Sequence, residues 1–219
     1  MIKKNFINYG FLIFSVLFCL CFSSCKVFIS LTQNQNGDVT VSFSGIPEEA
    51  FIKTIKSFLE VESDSFSSPN SIIDTEEIRS FLLSSGFLNV EVSNKIGAAV
   101  DIKMTIPKGK TFLFDTNLLK EDDDSFSINL SPATLQSFYA NADEQIISIL
   151  DILISPAFYG EEISEEEYLE TIASLYGNDV AAEMDNSTIF ITLKNKNGKV
   201  VKKSLPLKTL LTLKQNIDI

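Results

Sequence analysis

The chain of 219 residues has no histidine and no tryptophan, one arginine (Arg79), and three cysteines that all fall within its first twenty-five residues. Without histidine, nucleophilic catalysis by Ser or Cys lacks its usual base. Beyond Cys25 no thiol remains for a disulfide or a thiolate metal site. A Ser–Lys pair stays formally open, but no segment sets a serine in a glycine elbow. The nine glycines form no phosphate-cradling loop. Basic side chains are outnumbered, giving a net charge of −11 and no basic patch, so the surface repels phosphate backbones and nucleic acid is not an expected partner.

What is present starts at the N-terminus. Lys3 and Lys4 precede an apolar run over residues 11–22 broken only by Ser15, and Ser23-Ser24-Cys25 follows. This is the layout of a secretory signal peptide over residues 1–24, because an apolar core of about a dozen residues is shorter than the roughly 20 needed to span a bilayer. Counted back to Phe6, the run reaches spanning length, so an uncleaved N-terminal anchor is the alternative. In both cases the two lysines stay inside and the body lies outside the cytoplasm.

Cys19 follows Phe18 and Cys21 follows Leu20, whereas Cys25 alone follows the small residues a signal peptidase accepts. Phe22-Ser23-Ser24-Cys25 resembles the lipobox of bacterial lipoproteins. Phe22 stands where a branched aliphatic residue is usual, as in the looser boxes of spirochaete lipoproteins. The resemblance implies a diacylglyceryl thioether on Cys25, cleavage before it, and acyl chains of the palmitate class holding the protein to a cell or outer membrane. Residues 25–219 would then carry sixteen basic against twenty-nine acidic side chains, net −13, and thirteen of the eighteen Phe.

The body reads as α+β, with antiparallel hairpins and helices packed on one face of a sheet. Val27, Ile29 and Leu31 alternate with Phe28, Ser30 and Thr32; beyond Asn36-Gly37-Asp38, Val39, Val41 and Phe43 alternate with Thr40, Ser42 and Ser44, which predicts a hairpin with one buried face. Pro47 suits a helix first turn, and Phe51, Ile55, Phe58 and Leu59 continue at helical spacing. Residues 61–73, rich in Ser, read as a loop. Asp74 and Glu77 frame a second helix with Ile78, Phe81, Leu82 and Ser85 on one face and Gly86 as its stop. Leu88, Val90 and Val92, then Val100, Ile102, Met104 and Ile106, form a second hairpin. The first half, residues 25–107, is therefore ββααββ.

Residues 108–124 read as a linker or loop, with a short strand possible over 111–115. Its acidic end, Glu121 to Asp124, has consecutive carboxylates rather than the alternating spacing and central glycine of a calcium loop, so no metal is expected there. Residues 125–219 form a helix-rich α+β unit, either separate from the first or one continuous domain with it. Phe126, Ile128 and Leu130 predict a strand. Ser131-Pro132 opens a helical phase through Leu135, Phe138, Ala142, Ile146, Ile149 and Leu153, either as one helix to about residue 154 or as two broken near Asn141 and Asp143; Pro156 closes it. Ser164 with Glu167 caps a helix to Gly177 whose stripe is Tyr168, Leu169, Ile172, Leu175 and Tyr176. Ile189, Ile191 and Leu193 lead through Asn197-Gly198 into a C-terminal hairpin. The leucines after Pro206 suit a short helix or a strand, and no repeat of 20–50 residues is evident.

A second resemblance follows from these residues. Leu130-Ser131-Pro132, the run 151–156, Gly160-Glu161-Glu162, Glu167-Tyr168 and Tyr176-Gly177 are similar to a pattern in uncharacterised spirochaete lipoproteins. It implies an address and no activity.

Paired carboxylates suit a glycosidase, but the acidic side chains of 161–170 are accounted for by helix capping and solvation. No catalytic residue, no cofactor and no enzymatic activity is expected. The apolar stretch 146–159 carries two stripes, which asks for wrapping on several sides. It is either a central core helix or, through Ile147, Leu150, Ile154, Phe158 and Tyr159, one wall of a groove. The expected function is a lipid-anchored, non-catalytic binding or interaction module. Its partners are the membrane through the lipid on Cys25, and an envelope protein or an apolar, lipid-like ligand carried in that groove.

Overall fold

The computed structural model of the chain describes residues 24–47, 50, 75–94, 99–109, 111–121, 125–142, 147, 151 and 153–219. The N-terminal apolar run, the helix expected over 51–59, the loop at 61–73, the Asp74 cap and Leu150 lie outside the described residues. Among the described residues no helix is long and apolar enough to cross a membrane.

The architecture is α+β, as the sequence pattern predicts. Strands β1 (Ser24–Gln33), β2 (Val39–Pro47), β3 (Leu88–Asn94), β4 (Val100–Ile106), β7 (Thr188–Lys194) and β8 (Val200–Pro206) make a six-stranded sheet in the order β3-β4-β2-β1-β7-β8. Strands β5 (Leu119–Glu121), β6 (Phe126–Leu130) and β9 (Ile217–Asp218) make a second sheet of three. The helices are α1 (Thr75–Ser84), α2 (Phe112–Asp115), α3 (Pro132–Asn141), α4 (Pro156–Tyr159), α5 (Glu165–Tyr176), α6 (Asn178–Asn186) and α7 (Leu207–Leu211).

The period-two strands do what their alternation dictates. Val27, Leu31, Val41, Phe43, Ile189 and Ile191 are buried, while Lys26, Phe28, Ser42 and Lys194 are exposed on the other face. The hairpins pair antiparallel, but the large sheet is mixed, because β1 joins β7 in parallel with Val27 opposite Ile189, Phe28 opposite Phe190 and Ile29 opposite Ile191. This register places like on like. Val-Phe-Ile at 27–29 meets Ile-Phe-Ile at 189–191, and the two hairpin turns, 34–38 and 195–199, share Asn-x-Asn-Gly and the same backbone hydrogen bonds. Gly37 (φ 91°) and Gly198 (φ 85°) occupy the left-handed position that closes each turn.

Four local expectations are corrected. Pro47 closes β2, paired with Ser24, rather than sitting in a helix first turn. Residues 112–115 are a helical turn rather than a strand. Leu88 stands on the open face, 49% exposed, instead of with Val90 and Val92, because Asn89 takes φ 52° and the register with β4 slips by a residue between Leu88 and Glu91. Leu175 is 56% exposed and leaves the stripe that Tyr168 and Ile172 bury.

The helix opened by Ser131 ends at Asn141, and Ala142 turns extended (φ −70°, ψ 151°), so the interrupted alternative is the one adopted. Its start is held by a capping box: Ser131 Oγ accepts from the Thr134 amide at 3.1 Å and Thr134 Oγ1 accepts from the Ser131 amide at 2.9 Å. Both side chains are buried, so no water replaces them. Ser131→Ala is expected to cost about 1–2 kcal/mol, read as a lower midpoint in urea with an unchanged slope.

Candidate ligand cavity

One apolar core runs through both parts of the chain, and it does not close completely. Between the helix-covered face of the six-stranded sheet and the elements packed on it lies a cavity of about 340 Å³. The sheet contributes Ile29, Val41, Ile102, Met104, Ile191 and Leu205 to its floor; α1 contributes Phe81 and Leu82, and the turn after it Ser85; α2, β5 and β6 contribute Leu113, Leu119 and Ile128; and α3, α4 and α7 contribute Phe138, Phe158 and Leu210. Walls therefore come from residues on both sides of 108–124 and from that segment itself. Among the described residues Ser85 carries the one polar side chain of the lining.

The volume sits at the lower end of the roughly 300–1,000 Å³ of small-molecule sites. It is about twice the ~150 Å³ of an apolar void that takes up benzene. Water gains little here, since it needs two to four polar partners to be held. Hydrocarbon fits, because every methylene entering leaves water and meets carbon, about 0.8 kcal/mol for each one buried.

The residues singled out from the sequence distribute unevenly around this space. Phe158 is buried and lines it. Ile147 and Ile154 are half-buried and not part of the lining; Ile154 takes φ 46°, which turns the chain into α4 just ahead of Pro156. Tyr159 is 44% exposed and faces away, into a cluster on the outside of the α3–α4 pair. There the hydroxyls of Tyr139 and Tyr159 both donate to Asp151 Oδ1 at 2.6 Å, with the two rings edge to face at 5.2 Å and Tyr139 stacked on Phe158 at 6.1 Å. Burial, reinforced by the Asp151 carboxylate, raises the Tyr159 phenol well above its ordinary value, and the hydrogen bond to Asp151 is the first cause of a rise at Tyr139. Both phenols thus stay protonated donors at neutral pH and pin α4, with Phe158 on it, against α3. Asp151→Ala is expected to loosen that wall by about 1 kcal/mol, an exposed site discounting the usual strength of charged hydrogen bonds, and to be read as faster amide exchange in α4.

Behind Phe158 two buried hydroxyls tie neighbouring segments together. Tyr168 is fully buried in α5 and its hydroxyl donates to the Leu153 carbonyl at 2.7 Å; Ser155 Oγ, also fully buried, donates to the Leu211 carbonyl at 2.7 Å. Cys25 lies in β1 as the extra residue of a bulge, between the pairs Ser24–Pro47 and Lys26–Ile46.

Most cavity residues are legible in the sequence only as core: the alternation of β1, β2, β4 and β7 says which side chains face the helices, not whether the helices fill the space. No protein-family model, no curated protein and no solved structure matches the chain.

Proposed function

We propose that the chain is a lipid-anchored lipoprotein of the cell envelope whose extracytoplasmic body binds, without catalysis, the hydrocarbon part of an apolar ligand. The single observation that carries the binding half is the cavity of about 340 Å³ whose lining, among the described residues, has one polar side chain, Ser85. Such a lining offers no partner to a charged head group, so the ligand is a chain or ring of on the order of a dozen carbons whose polar end stays outside. Support for the address is the Lys3–Lys4, apolar-run, Ser23-Ser24-Cys25 layout.

Native mass spectrometry of the purified protein is expected to reveal a co-purifying lipid, and the stripped protein to take up a fluorescent fatty acid saturably. A clean mass and no uptake would sink the binding reading. The anchor is tested separately. Cys25→Ser is expected to abolish labelling by radioactive palmitate and release the protein from membranes; membrane retention at unchanged size in both forms would mean an uncleaved anchor instead.

A further inference from the structure

Among the described residues no helix covers β1, β7 and β8 on the face of the large sheet turned away from the cavity, and the composition of that face departs from that of the rest of the chain. Phe28, 48% exposed, stacks on Phe190 of the neighbouring strand with ring centroids 5.1 Å apart, and Val200, 49% exposed, stands further out on β8. Lys26, Lys194 and Lys202 are exposed around them. The other outward positions of these three strands are Ser, Thr and Pro, and none is a carboxylate. In a chain with twenty-nine acidic side chains, a half-face with three lysines and none of those acids is a local reversal of charge.

Position along the chain says what covers it. β1 begins at Ser24, so Cys25 is already within the sheet and no tether separates it from the body. Phe28 follows three residues on, about 10 Å along a strand. A diacylglyceryl group at Cys25 would therefore hold this half-face at the lipid surface rather than at the end of a flexible linker.

We propose that the open face of β1, β7 and β8 rests on the bilayer, with Phe28, Phe190 and Val200 in the interfacial layer and Lys26, Lys194 and Lys202 against anionic head groups. The proposal rests on the anchor reading given above. Aromatic rings favour the headgroup layer, and each lysine near an anionic surface adds about 1 kcal/mol. Docking this face also leaves the helix layer, and the cavity behind it, on the side away from the lipid.

The absence of tryptophan makes the test direct. The full chain, expressed and processed in its envelope, is prepared as Phe28→Trp, as Val200→Trp and as Leu175→Trp, the last on the exposed side of α5 in the helix layer. Each is reconstituted into phosphatidylcholine–phosphatidylglycerol vesicles with brominated acyl chains. The expected result is that all three float with the vesicles, that emission from positions 28 and 200 is blue-shifted and quenched by bromine, and that position 175 keeps its emission. Two face reporters guard against one substitution misfolding. Floating protein whose face reporters are quenched no more than position 175 overturns the docking while leaving the anchor standing. Protein that does not float overturns the anchor reading, and this proposal with it. Face reporters shielded from aqueous acrylamide in intact cells but untouched by brominated lipid mean that a protein covers the face, which also overturns it.

Discussion

Ile191→Phe is expected to weaken uptake of a fluorescent fatty acid roughly tenfold or more, at least about 1.4 kcal/mol, while the thermal midpoint holds or rises. Ile191 lies mid-strand in β7, opposite Ile29, with its side chain buried on the cavity floor. A phenyl ring adds volume into space that is already there, so the protein gains contacts as the ligand loses its room. In a filled core the same change would overpack and cost about 1–3 kcal/mol. The two measurements therefore pull apart: lost uptake with a stable fold supports a ligand cavity, and a destabilised fold with unchanged uptake shows that the ligand binds elsewhere.

The largest effect on stability is expected at Tyr168. Removing its ring with Tyr168→Ala is expected to cost about 3–5 kcal/mol, as for other large buried aromatics. Tyr168→Phe isolates the hydroxyl: the Leu153 carbonyl loses its donor in a buried site, for about 1–3 kcal/mol. The phenol also gives stability a pH dependence. Burial first, and then the nearby Tyr176, hold it protonated in the folded state far above the ordinary value of 10.0. The unfolded chain therefore releases this proton first as pH climbs past 10, so stability is intact below pH 10 and falls from there upward. Tyr159 and Tyr139 contribute in the same direction. Tyr168→Phe is expected to flatten the alkaline limb of a midpoint-against-pH plot; an unchanged slope would show that the buried phenol is not its source.

Much of the fold was legible because its signals are local. The alternation of Val27, Ile29 and Leu31 sorts side chains to two faces whatever the strand's neighbour is, and the Ser131 and Ser164 capping boxes act within a single turn of helix. Helix α6 is not legible in the sequence although Val180, Ala181 and Met184 carry its buried stripe, since a nine-residue segment rich in Asp and Asn gives a weak pattern. The parallel junction of β1 with β7 was also missed. Its trace was present, in Val-Phe-Ile against Ile-Phe-Ile and in two Asn-x-Asn-Gly turns, but these stretches lie far apart in the chain and no local rule brings them together. Of the four groove residues that the structure describes, Phe158 lines the cavity and Ile147, Ile154 and Tyr159 do not, Ile154 taking the left-handed conformation that redirects the chain into α4.

The sequence by itself determined the α+β class, the faces of most strands, the caps at Ser131 and Ser164, and the acidic balance without histidine, because each depends on residue types within a few positions of one another. Only the tertiary structure decided that two hairpins join in parallel, that Phe28 meets Phe190, and that the core keeps an unfilled volume. That volume is the difference between the space enclosed by distant segments and the side chains they bring to it, and a difference of that kind has no counterpart in any single stretch of chain.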